Sequence, residues 1–405
     1  MDFRHHSIFA RFFLAVGALF VLAISLAIPS RKRVVVFGGA AIISLKYWSA
    51  ALNEAGRPSM TLVPSVFNIN SRDDFDLVWM DLVPIFIRNN HIRRLLSPAC
   101  SWFWIVRNAR VCVAPVGGIS FFGWLGLESL EIWLFKRRGI KIVTMTVGGD
   151  SYMMSLIQDP SLRFALQSSY PDRTPMEFEI TKSVRRAETT SDVFICGSMF
   201  LDGFARADLM TPQPNIIDLS RIVPRSENSY RSDEGSPKDP IRILHAPNHR
   251  AFKGSSFLIS AVDRLKEDGL NVELVLAEKM PNHELLRLVK EVDIVVDQLI
   301  FTGYALFALE TMASGTPVIC NLESPRFQEV MKRYSFFRHC PIISASPETV
   351  DMELRKLIQD PSRRKKTGLQ GIKYCNNFHS FTYWQKTWQM FEDKEFNGIG
   401  LRANK

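Results

Sequence analysis

The chain has 405 residues, of which 46% are hydrophobic and 22% are charged, a composition that excludes a disordered protein. This length exceeds what one ordinary core accommodates and predicts two domains. The net charge of +9 favours anionic partners such as phosphates or acidic lipids, without choosing among them. The basic residues are dispersed along the chain, which argues against a nucleic-acid-binding protein.

Cysteine and histidine spacing indicates neither a disulfide framework nor a metal centre. The six cysteines are scattered without a C-x-x-C pair, and the eight histidines form no H-E-x-x-H motif. We therefore expect reduced, buried thiols, and we expect no metal and no other cofactor.

Residues 12–28 form an uncharged apolar run that is about 17 residues long, at the lower limit for a membrane-spanning helix. A cleaved signal peptide is disfavoured because no A-x-A-like site follows, and a buried helix because the run lacks an amphipathic period. Arg4 and Arg11 precede the run, and Arg31 to Arg33 follow it. We therefore predict that residues 1–30 are a single-pass anchor in the cell membrane, with the following domains on the cytoplasmic side.

Strands and helices alternate through the first half of the chain. The predicted strands are residues 33–38, 61–63, 109–116, 140–147 and 192–196, and the predicted helices are residues 42–55 and 127–138. This alternation predicts a parallel sheet covered on both faces. We assign residues 31–221 to an N-terminal Rossmann-like domain.

Residues 222–240 are polar, rich in Ser and Pro, and aperiodic, which predicts an interdomain linker. The alternation then restarts, and we expect residues 241–380 to form a second doubly wound domain. Its predicted strands are residues 242–245, 272–277, 293–296 and 317–320, and its predicted helices are residues 254–268, 283–290 and 304–313. Residues 381–405 are predicted to be a C-terminal helix and tail, whose Trp384, Trp388 and Phe391 pack on a domain.

Two places in the second half have residues suited to a nucleotide diphosphate. A helix predicted to begin near Gly303 points its free amides at a loop mouth, which suits a phosphate, and Glu310 two turns later can accept hydrogen bonds from ribose hydroxyls. Arg250 and Lys253 lie between a strand and the next helix, where two cations suit a diphosphate. A solvated helix-face glutamate and ordinary surface charge remain the alternatives.

The segments HAPNHRAFKG, DIVVDQ and TGYALFALETMASGTPVI resemble, in this order, the donor-binding domain of retaining GT-B glycosyltransferases. The most similar pattern is that of glycosyltransferase family 4 (glycosyl transferases group 1). The resemblance covers residues 242–320 well. It covers the first half only through the glycine turn after the opening strand and through residues 147–150. It implies an α/β, GT-B fold in which two Rossmann-like domains face a cleft, with residues 31–221 as the domain on the acceptor side.

The resemblance also implies roles for individual residues. Glu310 holds the nucleotide ribose, Lys253 and Arg250 neutralise the diphosphate, and Gly38 and Gly39 form the N-domain loop that faces the cleft. The matching donor-binding positions are Gly303, Tyr304, Ala305, Thr302 and Asn248.

This sequence departs from the family pattern at two positions. Thr302 stands where the family has the first glutamate of E-x7-E, so the usual acidic contact to the donor sugar is absent. Val147 stands where a histidine is often found, which leaves Gly148 and Asp150 of that turn. These departures leave the identity of the donor and part of the catalytic machinery open. The sequence does not specify the donor sugar, its base, the acceptor or the linkage.

The implied function is transfer of a sugar from a nucleotide-sugar donor to a glycan or lipid-linked acceptor in polysaccharide biosynthesis. The transfer is expected to retain configuration, to need no metal and to rely on the cations and helix amides to stabilise the leaving diphosphate. An alternative is a catalytically degenerate nucleotide-sugar-binding partner. An NAD-dependent oxidoreductase is disfavoured because FGGAAIIS lacks G-x-G-x-x-G.

Overall fold

A computed structural model describes residues 17, 20–25, 27–67, 70–197, 203–210 and 214–394. Most of the predicted anchor at residues 1–30 lies outside these ranges, so the anchor stays a prediction. Within the described ranges, no helix has both the length and the apolar character that a membrane crossing needs.

The first domain contains a sheet of seven parallel strands in the order β3-β2-β1-β4-β5-β6-β7. The strands are β1 (Val34–Gly38), β2 (Ser59–Val63), β3 (Leu77–Val78), β4 (Ala109–Pro115), β5 (Lys141–Met145), β6 (Val193–Cys196) and β7 (Leu209–Met210). The helices are α1 (Ile43–Glu54), α2 (Asn90–Asn108), α3 (Phe121–Trp124), α4 (Glu128–Arg137), α5 (Pro160–Ser169) and α6 (Glu177–Thr190). The strand order reverses between β1 and β4, which places a ligand-binding crevice beyond their carboxyl ends.

The second domain contains five parallel strands in the order β12-β11-β10-β8-β9. The strands are β8 (Ile241–His245), β9 (Val272–Leu276), β10 (Ile294–Thr302), β11 (Val318–Asn321) and β12 (Ile343–Ser344). The helices are α7 (Arg250–Lys253), α8 (Ser255–Glu267), α9 (Asn282–Glu291), α10 (Leu306–Ala313), α11 (Pro325–Met331), α12 (Val350–Gln359), α13 (Pro361–Phe378) and α14 (Phe381–Lys394). Here the order reverses between β8 and β10, so the segments that follow these two strands meet at the second crevice.

The C-terminal helix α14 returns to the first domain and packs on α1. The indole of Trp384 stacks on that of Trp48 with 4.8 Å between ring centroids, and both are fully buried. Glu392 of α14 forms ion pairs with Arg57 and Arg110 of the first domain. The predicted packing role of the C-terminal aromatic residues is therefore confirmed, and the packing ties the two domains together.

Residues 222–240, predicted to be a linker, pack on the second domain. The guanidinium of Arg225 donates hydrogen bonds to the carbonyls of Val289 and Val292, and the Tyr230 hydroxyl donates to the carbonyl of Gly315. This segment satisfies the carbonyls at the ends of α9 and α10. It therefore belongs structurally to the second domain.

The strand predicted at residues 293–296 ends too early, because β10 continues to Thr302. All nine of its residues are buried, and the apolar run Leu299 to Phe301 continues the sheet where a loop would face solvent. The pairing with β11 shifts register twice within this stretch. The next helix consequently begins at Leu306 rather than near Gly303.

Candidate functional site

Glu310 lines a cavity between the two domains, with a volume of about 240 Å³. Its walls come from α1, from residues 218–223, and from helices α9 and α10. The Glu310 side chain is buried, and Asn282 Nδ2 donates a hydrogen bond to its Oε2 at 3.2 Å. Burial raises the pKa of Glu310 to about 7, against the lowering effects of Asn282 and the positive charge of Arg221. The cavity thus contains a desolvated carboxylate with most of its accepting capacity unused.

Sequence reasoning missed the residues that surround Glu310. Tyr47 comes from α1 of the first domain, and burial, followed by the charge of Glu310, raises the pKa of its hydroxyl. The rest of the rim is mainly basic, with Arg221, His283 and Arg287. These residues lie on three different elements, and only the fold brings them to Glu310. An anion beside a ribose-sized cavity would meet positive charge here.

Lys253 ends the single helical turn α7, which lies between β8 and the helix α8. Gly254 follows in the left-handed conformation with φ +74, which turns the chain between the two helices. The Lys253 ammonium therefore points at the sheet, where Nζ lies 2.5 Å from Asp297 Oδ1 and 3.1 Å from Gln298 Oε1. Two of its three hydrogens are used, and Asp297 neutralises its charge.

Arg250 and Asn248 are exposed at the same edge of the sheet. The Arg250 guanidinium binds the Glu278 carboxylate at 2.7 Å, an exposed pair in which each group shifts the pKa of the other toward its charged form. Because exposed ion pairs are weak, Arg250 can exchange Glu278 for another anion at little cost.

The residues predicted to offer amides to a diphosphate differ in their availability. The Gly303 amide is already used, since it donates to the Asn321 carbonyl at 2.8 Å. Tyr304 is buried, and its hydroxyl lies 2.6 Å from the Tyr374 hydroxyl, so its side chain anchors α13. Thr302 is buried within β10, and Ala305 is the N-terminal cap of α10. The free amides are therefore those of the first turn of α10, beginning beyond Gly303.

An aromatic cluster covers the Lys253 region from the first domain. The ring centroid of Tyr170 lies 4.8 Å from that of His249, and that of Phe252 lies 5.1 Å from that of Phe301. Helix α5 packs against α7 and contributes apolar residues to the same cluster. This contact joins the domains beside Lys253, and no local sequence signal predicts it.

The predicted N-domain residues organise the turns at the carboxyl edge of the first sheet. Asp150 accepts hydrogen bonds from the amides of Val147 and Val116, and burial raises its pKa to about 6. A Cβ on Gly38 would lie 2.2 Å from the Leu62 carbonyl oxygen, and Gly39 has φ +83 against Pro115. Gly38 permits the close approach of β1 to β2, and Gly39 permits the turn after β1 to pass against Pro115.

Searches with the sequence return no match, neither to a protein-family model nor to a curated protein. Solved structures match over nearly the whole chain. Sucrose-phosphate synthase from Thermosynechococcus elongatus is 12% identical, with a TM-score of 0.59 over 89% of this chain and 99% of that chain. The fold is GT-B. The catalytic domain of starch synthase IV from Arabidopsis thaliana, bound to ADP and acarbose, is 10% identical, with a TM-score of 0.51 over 91% and 99% of the two chains.

A trehalose-6-phosphate synthase has the same GT-B fold at 10% identity, with a TM-score of 0.50 over 92% of this chain and 100% of that chain. Likeness at these identities establishes the fold alone, so function must be argued from the site. Among the residues that the structure describes, no group of three His, Cys, Asp or Glu side chains is arranged to hold a metal ion.

Proposed function

We propose that this protein is a glycosyltransferase that moves a sugar from a nucleotide-sugar donor to a glycan or lipid-linked acceptor. The observation that carries the proposal is the buried carboxylate of Glu310, which faces an interdomain cavity in a GT-B fold. The expected attachment to the cytoplasmic face of a membrane, through residues 1–30, is part of the same proposal.

Glu310 is proposed to hold the ribose of the donor. An ionised carboxylate accepts two hydrogen bonds from vicinal hydroxyls, and burial makes those bonds strong because water does not compete. In the unliganded protein, the side chain of Asn282 is its hydrogen-bond partner. Ligand hydroxyls add partners to a carboxylate whose desolvation is already complete.

The diphosphate is proposed to lie at the N-terminus of α10, between the Glu310 cavity and the loop that contains Arg250. Arg250 can leave Glu278, and the remaining hydrogen of the Lys253 ammonium can donate to a phosphate oxygen. These donors act as charge develops on the departing diphosphate. We propose transfer with retention and without a metal, in which the leaving diphosphate accepts the proton of the acceptor.

Two observations favour a second candidate, a nucleotide-sugar-binding partner that lacks transferase activity. The Lys253 charge is neutralised by Asp297, and the family's first acidic residue is a threonine buried in β10. The first feature reduces the positive charge of the site, and the second removes an acidic side chain that the family pattern has.

Incubation of the purified full-length protein with a panel of nucleotide sugars tests the proposal. Saturable binding together with release of the nucleoside diphosphate supports the transferase. Binding without release of the diphosphate, in the presence of membrane extract as a source of acceptors, supports the inactive partner. The absence of binding to any nucleotide sugar contradicts both.

A further inference from the structure

A second cavity, with a volume of about 840 Å³, lies in the first domain. Its floor consists of the segments that follow β1, β2, β3 and β4, and one wall is helix α2. It therefore occupies the carboxyl edge of the first sheet, where the topology predicts a ligand crevice. Gly39, at the turn that leads toward the interdomain cleft, also lines it.

Within the part of the chain that the structure describes, two donors in this cavity lack protein partners. The indole Nε1 of Trp79 is buried and makes no hydrogen bond, although a desolvated N–H without an acceptor is costly. Arg94 on the α2 wall is exposed and forms no ion pair with any described residue, whereas Arg72 across the cavity is paired with Asp81. An N–H donor and an uncompensated guanidinium in one cavity suit an anionic head group such as a phosphate.

An apolar rim borders the same wall. Ile85, Phe86 and Leu95 are 92%, 79% and 60% exposed, although large apolar side chains are normally covered. Arg93 donates hydrogen bonds to the carbonyls of Met80 and Ile87, which fixes the rim loop against α2. The rim and the cavity therefore form one continuous surface.

The basic residue in this rim, and the position of the predicted anchor beside α2, indicate what covers the rim. Arg88 is exposed and follows Phe86 by two positions in the chain, and such a combination of basic and apolar residues suits the interface of an anionic bilayer. Ser25, near the end of the predicted anchor, contacts the same helix, since Trp102 of α2 donates a hydrogen bond to its hydroxyl. A bilayer reached by the anchor would therefore be adjacent to α2.

We propose that the acceptor is a membrane lipid with a phosphate head, and that α2 and its preceding loop dock on the bilayer. The head group enters the 840 Å³ cavity and binds Arg94 and the Trp79 indole, while its chain leaves over the rim into the bilayer. This inference rests on the proposed glycosyltransferase function, because it names the acceptor of that reaction.

Binding of farnesyl phosphate to the detergent-solubilised full-length protein tests the head-group site. We expect saturable binding that is at least about tenfold tighter than that of farnesol or of inorganic phosphate. Farnesol lacks the phosphate that forms the charge-assisted hydrogen bond, and inorganic phosphate lacks the hydrocarbon chain. Arg94→Gln should weaken binding about tenfold, and Arg338→Gln, an exposed arginine of the second domain, should not. Equal affinity for farnesol, or for phosphate alone, overturns the proposal.

Binding of UDP and ADP to the same samples separates this inference from the proposed function. Nucleotide binding without binding of farnesyl phosphate overturns the lipid acceptor and leaves the transferase standing. Binding of farnesyl phosphate without any nucleotide supports the lipid site and contradicts the transferase.

A fluorophore sensitive to polarity tests the rim separately. It is attached to Phe86→Cys or to the matched control Phe257→Cys, an exposed position of α8, and the unsubstituted chain gives the background from native cysteines. In vesicles of phosphatidylcholine and phosphatidylglycerol, we expect a blue shift at position 86 and none at position 257. An unshifted spectrum at position 86 overturns docking of the rim.

Discussion

The ammonium of Lys253 lies 2.5 Å from the carboxylate of Asp297, and both side chains are buried under the aromatic cluster that joins the domains. Removal of one partner from such a pair leaves an uncompensated buried charge. Lys253→Met should therefore lower the free energy of unfolding by about 3–5 kcal/mol, measured by urea denaturation. Adding Asp297→Asn should restore most of this loss, whereas a loss unchanged in the double variant would show that the pair is not the cause.

The double variant also separates stability from catalysis. If the third hydrogen of Lys253 stabilises the departing diphosphate, Lys253→Met with Asp297→Asn should transfer sugar about 100-fold more slowly or worse, while nucleoside affinity changes little. Initial rates and nucleotide titrations on the same folded sample measure both quantities. Normal turnover would assign Lys253 a purely structural role and move the phosphate site elsewhere.

Nucleotide affinity should depend on the ionisation of Glu310. Since the pKa of Glu310 is about 7, affinity should rise as the pH rises through that value, because the carboxylate accepts both ribose hydroxyls. Glu310→Gln should weaken nucleotide binding by about 1.5–3 kcal/mol above that pH and remove the pH dependence. Calorimetric titrations of both proteins across this range measure the effect. An unaltered pH profile in the variant would exclude Glu310 as the titrating group.

The same carboxylate should make folding stability depend on pH. Its pKa in the folded protein lies above the usual value of 4.5, so the folded state binds more protons than the unfolded state between 4.5 and about 7. Stability should therefore fall as the pH rises across this window, and Glu310→Gln should flatten that part of the profile. Urea denaturation at several pH values measures this slope, and equal slopes in the two proteins would contradict the buried ionisation.

The C-terminal helix should be required for the stability of the first domain. Trp384→Ala removes an indole stacked on Trp48 and should cost about 3–5 kcal/mol in the free energy of unfolding. Trp133→Ala, at a half-exposed indole, is the matched control and should cost no more than about 0.5 kcal/mol. Equal losses would show that the contact between α14 and α1 contributes nothing specific.

Transfer should survive removal of divalent metal. The proposed site stabilises the diphosphate with helix amides and basic side chains, so activity should persist in excess EDTA. A rate assay before and after chelation, with magnesium re-addition as the control, measures this. Loss of activity that magnesium restores would mean that a metal contributes to the reaction.

The second domain could be predicted strand by strand because its strands are short buried runs between helices that end at glycines, such as Gly269 and Gly315. Its parallel sheet and the position of Glu310 on α10 follow from that pattern. The predicted end of β10 and the predicted start of the next helix were wrong. The chain stays apolar after Asp297, so these residues extend β10 instead of forming a loop. The structure of that segment is determined by its burial in the sheet and not by turn-forming residues.

Contacts between distant elements were not predictable. Lys253 points at Asp297 because Gly254 turns the chain, and Tyr170 covers His249 because α5 packs across the domain boundary. Likewise, Arg221 reaches the surroundings of Glu310 from a segment 89 positions earlier in the chain. Such juxtapositions depend on the tertiary arrangement and have no periodicity or spacing to indicate them.

Saturable binding of a nucleotide sugar at Glu310 is the most direct test of the central claim. Titration of the wild-type protein and of Glu310→Ala with a panel of nucleotide sugars should find at least one donor that binds the wild type and binds the variant about tenfold more weakly or worse. Circular dichroism of the variant controls for its fold. Equal affinity of the two proteins for every donor, or no binding to either, would contradict the assignment of this cavity as the donor site.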